Sequence, residues 1–181
     1  IHSMKLKQRM YGLVPYNISP IQQGIQFGHA VVEYGLQMNK SRADAGYDGT
    51  DYSKWAKEDK TFIILNGGTT NNNSDIYSTM GTLNQAVRRL EDICIPYATF
   101  NEPDLGDQLT AIVFLVDERV WDKEKYPDYV NRLDGKALIP GTDWHPDITD
   151  MSPGVYYDNL FGKDATWILE LREFLSPFKL A

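Results

Sequence analysis

Four polar side chains recur at helical spacing between residues 19 and 36. They are Gln22, Gln26, His29 and Glu33, which follow one another at positions i, i+4, i+7 and i+11. On an α-helix this spacing places all four on one face. Amide, imidazole and carboxylate groups in one row can orient a substrate at the edge of a cleft. The same row is also typical of a helix side that simply faces water.

Three carboxylates lie close together at Glu102, Asp104 and Asp107. Glu102 directly follows a predicted strand, so it is the most favoured of the three to face a cleft and to act on a water as a general base. Thr110 begins the next predicted strand, where it would hydrogen-bond a substrate oxygen or serve as an ordinary strand residue. The alternative for the carboxylates is a solvated hairpin turn.

A loop rich in glycine and asparagine forms the third candidate. Residues 66–74 read Asn-Gly-Gly-Thr-Thr-Asn-Asn-Asn-Ser, a composition typical of a loop. Backbone N–H groups at Gly67, Gly68 and Thr69 could bind a phosphate. The stretch has neither a Walker nor a Rossmann fingerprint, so a plain surface loop is the alternative.

No metal site is expected. The stretch Asp143-Trp144-His145-Pro146-Asp147 contains potential ligands, but it lacks a second histidine at ligand spacing. Trp144 and His145 are better explained as residues that pin a loop or rim a pocket.

The elements that position these residues are predicted in the order β-α-β-α-β-β. Alternating strands and helices indicate a layered α/β domain, and a short turn at 102–107 makes the last two strands an antiparallel hairpin. The result is a four-stranded mixed sheet with helices packed on it. The strands are predicted at 8–15, 61–65, 97–101 and 109–116, and the helices at 19–36 and from residue 79 or 82 to 93. Thr82 and Gln85 form a predicted capping box at the start of the second helix. Residues 39–60 are predicted to be a loop, in which 52–57 can form one helical turn anchored by Trp55.

The first helix is predicted to be the centre of the fold. Ser19 is its N-cap and Pro20 its first residue. Gly24 and Gly28 lie one turn apart, and each costs about 1 kcal/mol relative to alanine inside a helix. Close approach of a strand or a ligand is the expected compensation. The apolar face of the helix is predicted to contain Ile21, Ile25 and Val32, with Phe27 and Val31 beside them.

Composition divides the chain into three parts within one domain. Residues 4–117 form the predicted α/β core, and 118–163 form an ordered insertion rich in Asp, Pro, Gly and aromatic residues, without sustained periodicity. Residues 164–181 are predicted to be a closing amphipathic helix and tail that complete the core. The aromatic insertion is also a candidate protein–protein interface.

Charge and cysteine content exclude several classes of protein. The net charge of -7 argues against a large, general nucleic-acid surface, although a small nucleotide ligand is compatible with it. The single cysteine, Cys94, rules out a disulfide within the chain. No apolar run reaches transmembrane length. We therefore predict a cytoplasmic protein without a membrane partner, a metal or a cofactor, and a homodimer is compatible with the sequence.

The first helix also contains a family motif. The run Gln26-x-x-His29-Ala30, after a strand reading Met-Tyr-Gly-Leu-Val, resembles the first helix of the archaeal and eukaryotic-type (type-2-like) peptidyl-tRNA hydrolases. That helix reads Gly-Lys-x-Ala-x-Gln-x-x-His-Ala in the family. The order of elements is similar over about 8–117 and 164–180, which leaves 118–163 as an insertion.

The resemblance implies hydrolysis, without a metal, of the ester that joins a peptide to the terminal ribose of tRNA. In that family a Lys, an Asp and Thr hydroxyls activate and position a water. The Lys falls on Gln22, the Asp on Glu102 and the last active-site Thr on Thr110, while the other Thr has no clear counterpart. Gln22 can hydrogen-bond, but it supplies no charge to a developing oxyanion.

Two functions follow from the sequence. The first is a peptidyl-tRNA-hydrolase-like esterase that acts on a tRNA-linked peptide, with Glu102, Thr110 and Gln22 as catalytic residues. The second keeps the fold but binds or cleaves a small nucleotide or nucleotide-derived signal, which the missing Lys and the acidic charge favour. In either case the substrate-binding residues are expected to be Gln26, His29, Gly67, Gly68, Thr69 and Asp104.

Overall fold

The computed structural model describes residues 6–45, 50–70, 81–129, 152–163 and 165–181. Over these residues the protein is the α/β domain that the sequence predicts, with four strands in one mixed sheet. The strands are β1 (Gln8–Pro15), β2 (Phe62–Gly68), β3 (Ala98–Glu102) and β4 (Gln108–Asp117). Their order across the sheet is β2-β1-β4-β3.

Helices connect and follow these strands along the chain. Those in the described ranges are α1 (Pro20–Ala45), α2 (Thr50–Lys54), α3 (Thr82–Ile93), α4 (Glu118–Trp121), α5 (Pro153–Phe161) and α6 (Thr166–Leu175). A π-helical turn covers Trp55–Asp59, and a 3-10 turn covers Pro103–Leu105. None of the described helices combines the length and the apolar character that crossing a membrane requires.

The register of two strand pairs fixes which residues face each other in the sheet. β1 runs parallel to β2, with Leu13 opposite Leu65. β3 runs antiparallel to β4, with Ala98 opposite Val113, as the short turn between them predicts. A register shift occurs where Phe100 pairs with Ala111 but Asn101 pairs with Leu109. Thr110 is therefore the extra residue of a β-bulge, a feature that changes the direction of a side chain.

One cluster of the hydrophobic core lies between the sheet and α1. Phe27 and Tyr34 from the helix pack with Met10, Val14 and Trp55. The Phe27 ring lies over Gly12 of β1, where a Cβ atom would come within 2.1 Å of a ring carbon. Gly12 is therefore required for the close contact of helix and strand.

Helix α1 is longer than predicted: it was expected to end at Leu36 but continues to Ala45. The predicted loop over 39–60 is wrong for residues 39–45, which are helical. The helical turn predicted at 52–57 is confirmed within the helical residues 50–59, and its predicted anchor Trp55 is buried. Residues 39–45 contain neither Gly nor Pro, and Lys, Arg and Ala have low helix cost. A polar composition by itself therefore does not distinguish a loop from a helix in this part of the chain.

The buried face of α1 also differs from the prediction. Ile21 is 76% exposed and Val32 is 62% exposed, whereas Gln26 is only 2% exposed and Ala30 is fully buried. The polar row therefore faces inward at Gln26, and the predicted apolar face of Ile21, Ile25 and Val32 is exposed. A buried amide is tolerated because it has hydrogen-bond partners, here Glu102 and Thr110.

Gly24 and Gly28 of α1 do not have the close neighbours that the sequence suggested. A Cβ at Gly28 would meet no atom of the described chain within 4 Å, and the same holds for Gly24.

Gly28→Ala is therefore expected to raise the free energy of unfolding by about 1 kcal/mol through helix propensity alone. Gly12→Ala is expected to lower it by about 1–3 kcal/mol through overpacking against Phe27. Urea unfolding measures both, and a stabilising Gly12→Ala would contradict the packing described here.

Backbone contacts divide the chain into two compact units, one of residues 1–116 with 176–181 and one of residues 117–175. In the first unit the C-terminal tail extends the sheet. Asn66 donates its N–H to the Lys179 carbonyl at 2.8 Å, and Ala181 donates to the Ile64 carbonyl at 3.0 Å. The tail thereby covers an edge of β2 that would otherwise expose unpaired backbone groups.

The second unit contains the predicted closing helix as α6, together with α4 and α5. Arg172 of α6 is buried, and its guanidinium group donates hydrogen bonds to backbone carbonyls of Arg119 and Tyr126. The residues 130–151, which include Trp144 and His145, lie outside the described residues.

Candidate active site

A pocket of about 480 Å³ lies between the start of α1 and the turn that follows β3. It is the kind of position at which α/β proteins bind ligands, beyond the carboxyl ends of strands. Its lining combines amide, hydroxyl and carboxylate groups with three aliphatic side chains. The lining residues are Ile18, Ser19, Gln22, Ile25, Gln26, Glu102, Asp104 and Leu105.

Local structure holds both sides of the pocket in place. Ser19 caps α1 as predicted, because its hydroxyl accepts the Gln22 N–H at 3.3 Å. Gln23 donates its side-chain N–H to the Pro15 carbonyl at 3.2 Å, which ties the helix start to the end of β1. On the other side, Glu102 accepts the Asp104 N–H at 3.2 Å and so caps the 3-10 turn.

Gln26 is the central residue of the site. Its Nε2 donates to Glu102 Oε2 at 2.7 Å and lies 3.5 Å from Gln22 Oε1. Its Oε1 accepts the hydroxyl proton of Thr110 at 2.8 Å. The three side chains of Thr110, Gln26 and Glu102 therefore form one hydrogen-bonded chain from the core to the pocket. We call this chain the Thr110–Gln26–Glu102 relay.

Thr110 lies behind Gln26 and does not line the pocket. It is 1% exposed, and its hydroxyl oxygen also lies 3.2 Å from the Phe100 carbonyl oxygen. The β-bulge at Thr110 is what directs this side chain toward α1. Its hydroxyl is therefore already engaged within the protein, and it acts on the pocket through Gln26.

Glu102 is held in its ionised form. The hydrogen bond from Gln26 keeps the pKa of Glu102 below its ordinary value, helped by the Asp104 N–H and, more weakly, by His29, and opposed by partial burial. At neutral pH the carboxylate is therefore charged and able to accept a hydrogen bond from water. It is a weaker proton acceptor than a carboxylate whose pKa is raised.

His29 supports the site from the side. Its ring is stacked on Phe100, with 4.4 Å between ring centroids and 12° between the ring planes. It is exposed and lies outside the pocket lining. His29, which was predicted to contact the substrate, is therefore not part of the pocket wall. Its ring lies beside Phe100 in β3, the strand that ends at Glu102.

Gly67, Gly68 and Thr69, the residues of the 66–74 loop that were predicted to bind a phosphate, lie elsewhere, and residues 71–74 of that loop lie outside the described residues. β2 extends through Gly67 and Gly68, so both belong to the strand. Gly68 donates its N–H to Asn66 Oδ1, and Thr69 donates its N–H to Thr82 Oγ1, both at 2.9 Å. These two N–H groups are used within the protein, and none of the three residues lines the pocket.

The same contacts correct the predicted cap of the second helix. Gly81 is the N-cap of α3 and has no side chain that could cap it. Thr69 accepts the first N–H groups of the helix instead: its hydroxyl oxygen accepts the Thr82 N–H and its carbonyl accepts the Leu83 N–H. The Thr82 hydroxyl donates instead to the Gly67 carbonyl at 2.7 Å. The capping box predicted for Thr82 and Gln85 is therefore wrong, because the neighbouring strand takes the hydroxyl.

Four predicted site residues meet in the pocket wall: Gln22, Gln26, Glu102 and Asp104. The aliphatic part of the wall was not predicted as part of a site, since Ile25 was assigned to the core and Leu105 to a turn. No group of three or more potential metal ligands occurs among the described residues.

Comparison of the sequence with models of known protein families and with curated proteins finds no match.

Proposed function

We propose that the pocket is the active site of a peptidyl-tRNA-hydrolase-like esterase in which Glu102 holds the attacking water. One observation carries the proposal. The Glu102 carboxylate faces an open pocket while Gln26 and the Asp104 N–H fix its orientation and its charge. The motif of Gln26 and His29 in α1 supports the same assignment.

The reaction needs only the substrate ester and one water. Glu102 accepts a hydrogen bond from the water, whose oxygen attacks the ester carbonyl carbon while the water's proton passes to Glu102. The bond between that carbon and the ribose oxygen then breaks, and the ribose oxygen takes up the proton from Glu102. The products are a free peptide acid and a tRNA with a free ribose hydroxyl. Because the pKa of Glu102 is low, positioning of the water contributes more than basicity does.

Gln22 takes the position of the family's lysine in this arrangement. It lines the pocket one helical turn before Gln26. Its amide N–H can stabilise a developing oxyanion, although a neutral donor forms a weaker hydrogen bond to an anion than a charged one. We therefore expect slower chemistry than a lysine would support.

The pocket wall gives no support to the nucleotide alternative. Two carboxylates, Glu102 and Asp104, face the cavity, and none of the described residues that line it is basic. A phosphate placed there would meet charges of its own sign at short range. The side-chain hydrogen-bond donors in the wall, from Ser19, Gln22 and Gln26, are all neutral.

The proposal predicts peptide release from peptidyl-tRNA by the purified protein. The assay uses a labelled N-blocked peptidyl-tRNA in water enriched in oxygen-18. Hydrolysis at the carbonyl carbon is expected to place the heavy oxygen in the carboxylate of the released peptide. A thermal-shift assay with ATP and GTP runs beside it, because a true ligand at 100 Kd adds about 2.7 kcal/mol of stability. Absence of release, or clear stabilisation by either nucleotide, would contradict the proposal.

A further inference from the structure

We infer that Thr110 is a positioning residue whose buried hydroxyl fixes the orientation of the Gln26 amide and thereby directs the amide NH₂ group at Glu102. The inference deepens the proposed function and rests on it for the kinetic part of its test. The structural part concerns the relay alone and needs no substrate.

An amide side chain has two orientations that differ by exchange of its oxygen and nitrogen. With the orientation described above, Gln26 donates to Glu102 and accepts from Thr110. In the reversed orientation the amide oxygen would lie against the Glu102 carboxylate, and two acceptors would face each other. The charge on Glu102 therefore favours the first orientation.

Thr110 adds to this preference because its hydroxyl proton has a defined acceptor. Gln26 Oε1 lies 2.8 Å from the hydroxyl oxygen, closer than the Phe100 carbonyl oxygen at 3.2 Å. The hydroxyl donates to Gln26 and so holds the amide oxygen on the core side. Without that donor, the nearly fully buried amide oxygen of Gln26 would lose its partner.

Thr110→Val tests this with almost no change in shape, since a methyl group replaces the hydroxyl. We expect the pKa of Glu102, followed by NMR of its side-chain carboxyl carbon, to rise toward its ordinary value. The release rate kcat is expected to fall by up to about 10²-fold, with KM unchanged, because the water is held less precisely. His29 and Asp104, the other titratable groups described near Glu102, are present in every variant.

Two variants provide the matched comparison. Thr110→Ser keeps the hydroxyl and is expected to keep the wild-type pKa and rate. Thr99→Val removes a hydroxyl from the neighbouring strand, where Thr99 pairs with Ile112, and is expected to change neither. Thr110→Cys has a weaker donor of similar size and is expected to give a Glu102 pKa between those of the wild type and Thr110→Val. It replaces Thr110→Val in the comparison if that variant does not fold.

The two readouts separate the inference from the proposed function. A Glu102 pKa that is the same in Thr110→Val, or in Thr110→Cys, as in the wild type would overturn the inference even if peptide is released. A raised pKa in a protein that releases no peptide would support the inference and remove the proposed function. A raised pKa in Thr110→Ser or Thr99→Val would also overturn the inference, since the effect would then not depend on the hydroxyl.

Discussion

Glu102→Gln is expected to slow release of the peptide from peptidyl-tRNA by about 10²- to 10⁴-fold, the usual contribution of a positioned general base. The substitution keeps the size of the side chain and an oxygen that can accept the Asp104 N–H. It removes the negative charge and the proton acceptor that face the pocket. Single-turnover rates with enzyme in excess measure the chemical step directly.

Asp107→Asn is the matched control for this variant. It removes one negative charge from the same turn, at an exposed residue outside the pocket lining. The backbone of Asp107 has a positive φ of 58°, a conformation that asparagine adopts readily. We expect its rate to match the wild type. A Glu102→Gln enzyme as fast as Asp107→Asn would exclude Glu102 from catalysis.

The pH dependence of the same rate has a defined sign. Because the pKa of Glu102 lies below its ordinary value of 4.5, the carboxylate stays ionised as the pH falls from 7 toward that value. We therefore expect the rate of peptide release to fall on the acidic side only below pH 4.5. The linked stability has the same sign: the charged form favours folding above the unfolded pKa, and this contribution is lost as the pH falls through the folded pKa.

Sequence periodicity correctly predicted which polar residues share a face of α1, but it did not predict which of them are buried. It placed Gln22 and Gln26 on one face, and both do line the pocket. It could not show that Gln26 is buried, because a solvated amide and a partnered one look the same in a sequence. The partners that decide between them, Glu102 and Thr110, are 76 and 84 residues away along the chain.

The direction of the Thr110 side chain is also beyond what the sequence can show. The sequence places Thr110 at the start of a strand, which is confirmed to within two residues by β4. A one-residue change of register moves a side chain to the other face of a sheet, and the bulge at Thr110 is such a change. No glycine marks it. Only the pairing of β3 with β4 shows it.

Arg172→Ala is expected to lower the free energy of unfolding by about 3–5 kcal/mol, the range for loss of a buried, hydrogen-bonded charge. The Arg172 side chain donates to the carbonyls of Arg119 and Tyr126, each at 2.6 Å, and its guanidinium carbon lies 5.0 Å from the centre of the Phe161 ring. Truncation removes these donors from the two carbonyls and leaves an empty volume beside the ring. Urea unfolding followed by circular dichroism measures the change.

Asp128→Asn separates the ion pair from the rest of this effect. Arg172 Nη1 donates to Asp128 at 2.9 Å, but the Asp128 side chain is 53% exposed, so water screens the pair. In Asp128→Asn the guanidinium group keeps its two carbonyl acceptors, and the asparagine side-chain oxygen can accept the Nη1 hydrogen bond. We therefore expect Asp128→Asn to cost no more than about 1 kcal/mol. If Asp128→Asn destabilised the protein as much as Arg172→Ala does, the ion pair would dominate. A large difference between the variants would show that Arg172 stabilises this unit through the carbonyls and the Phe161 ring.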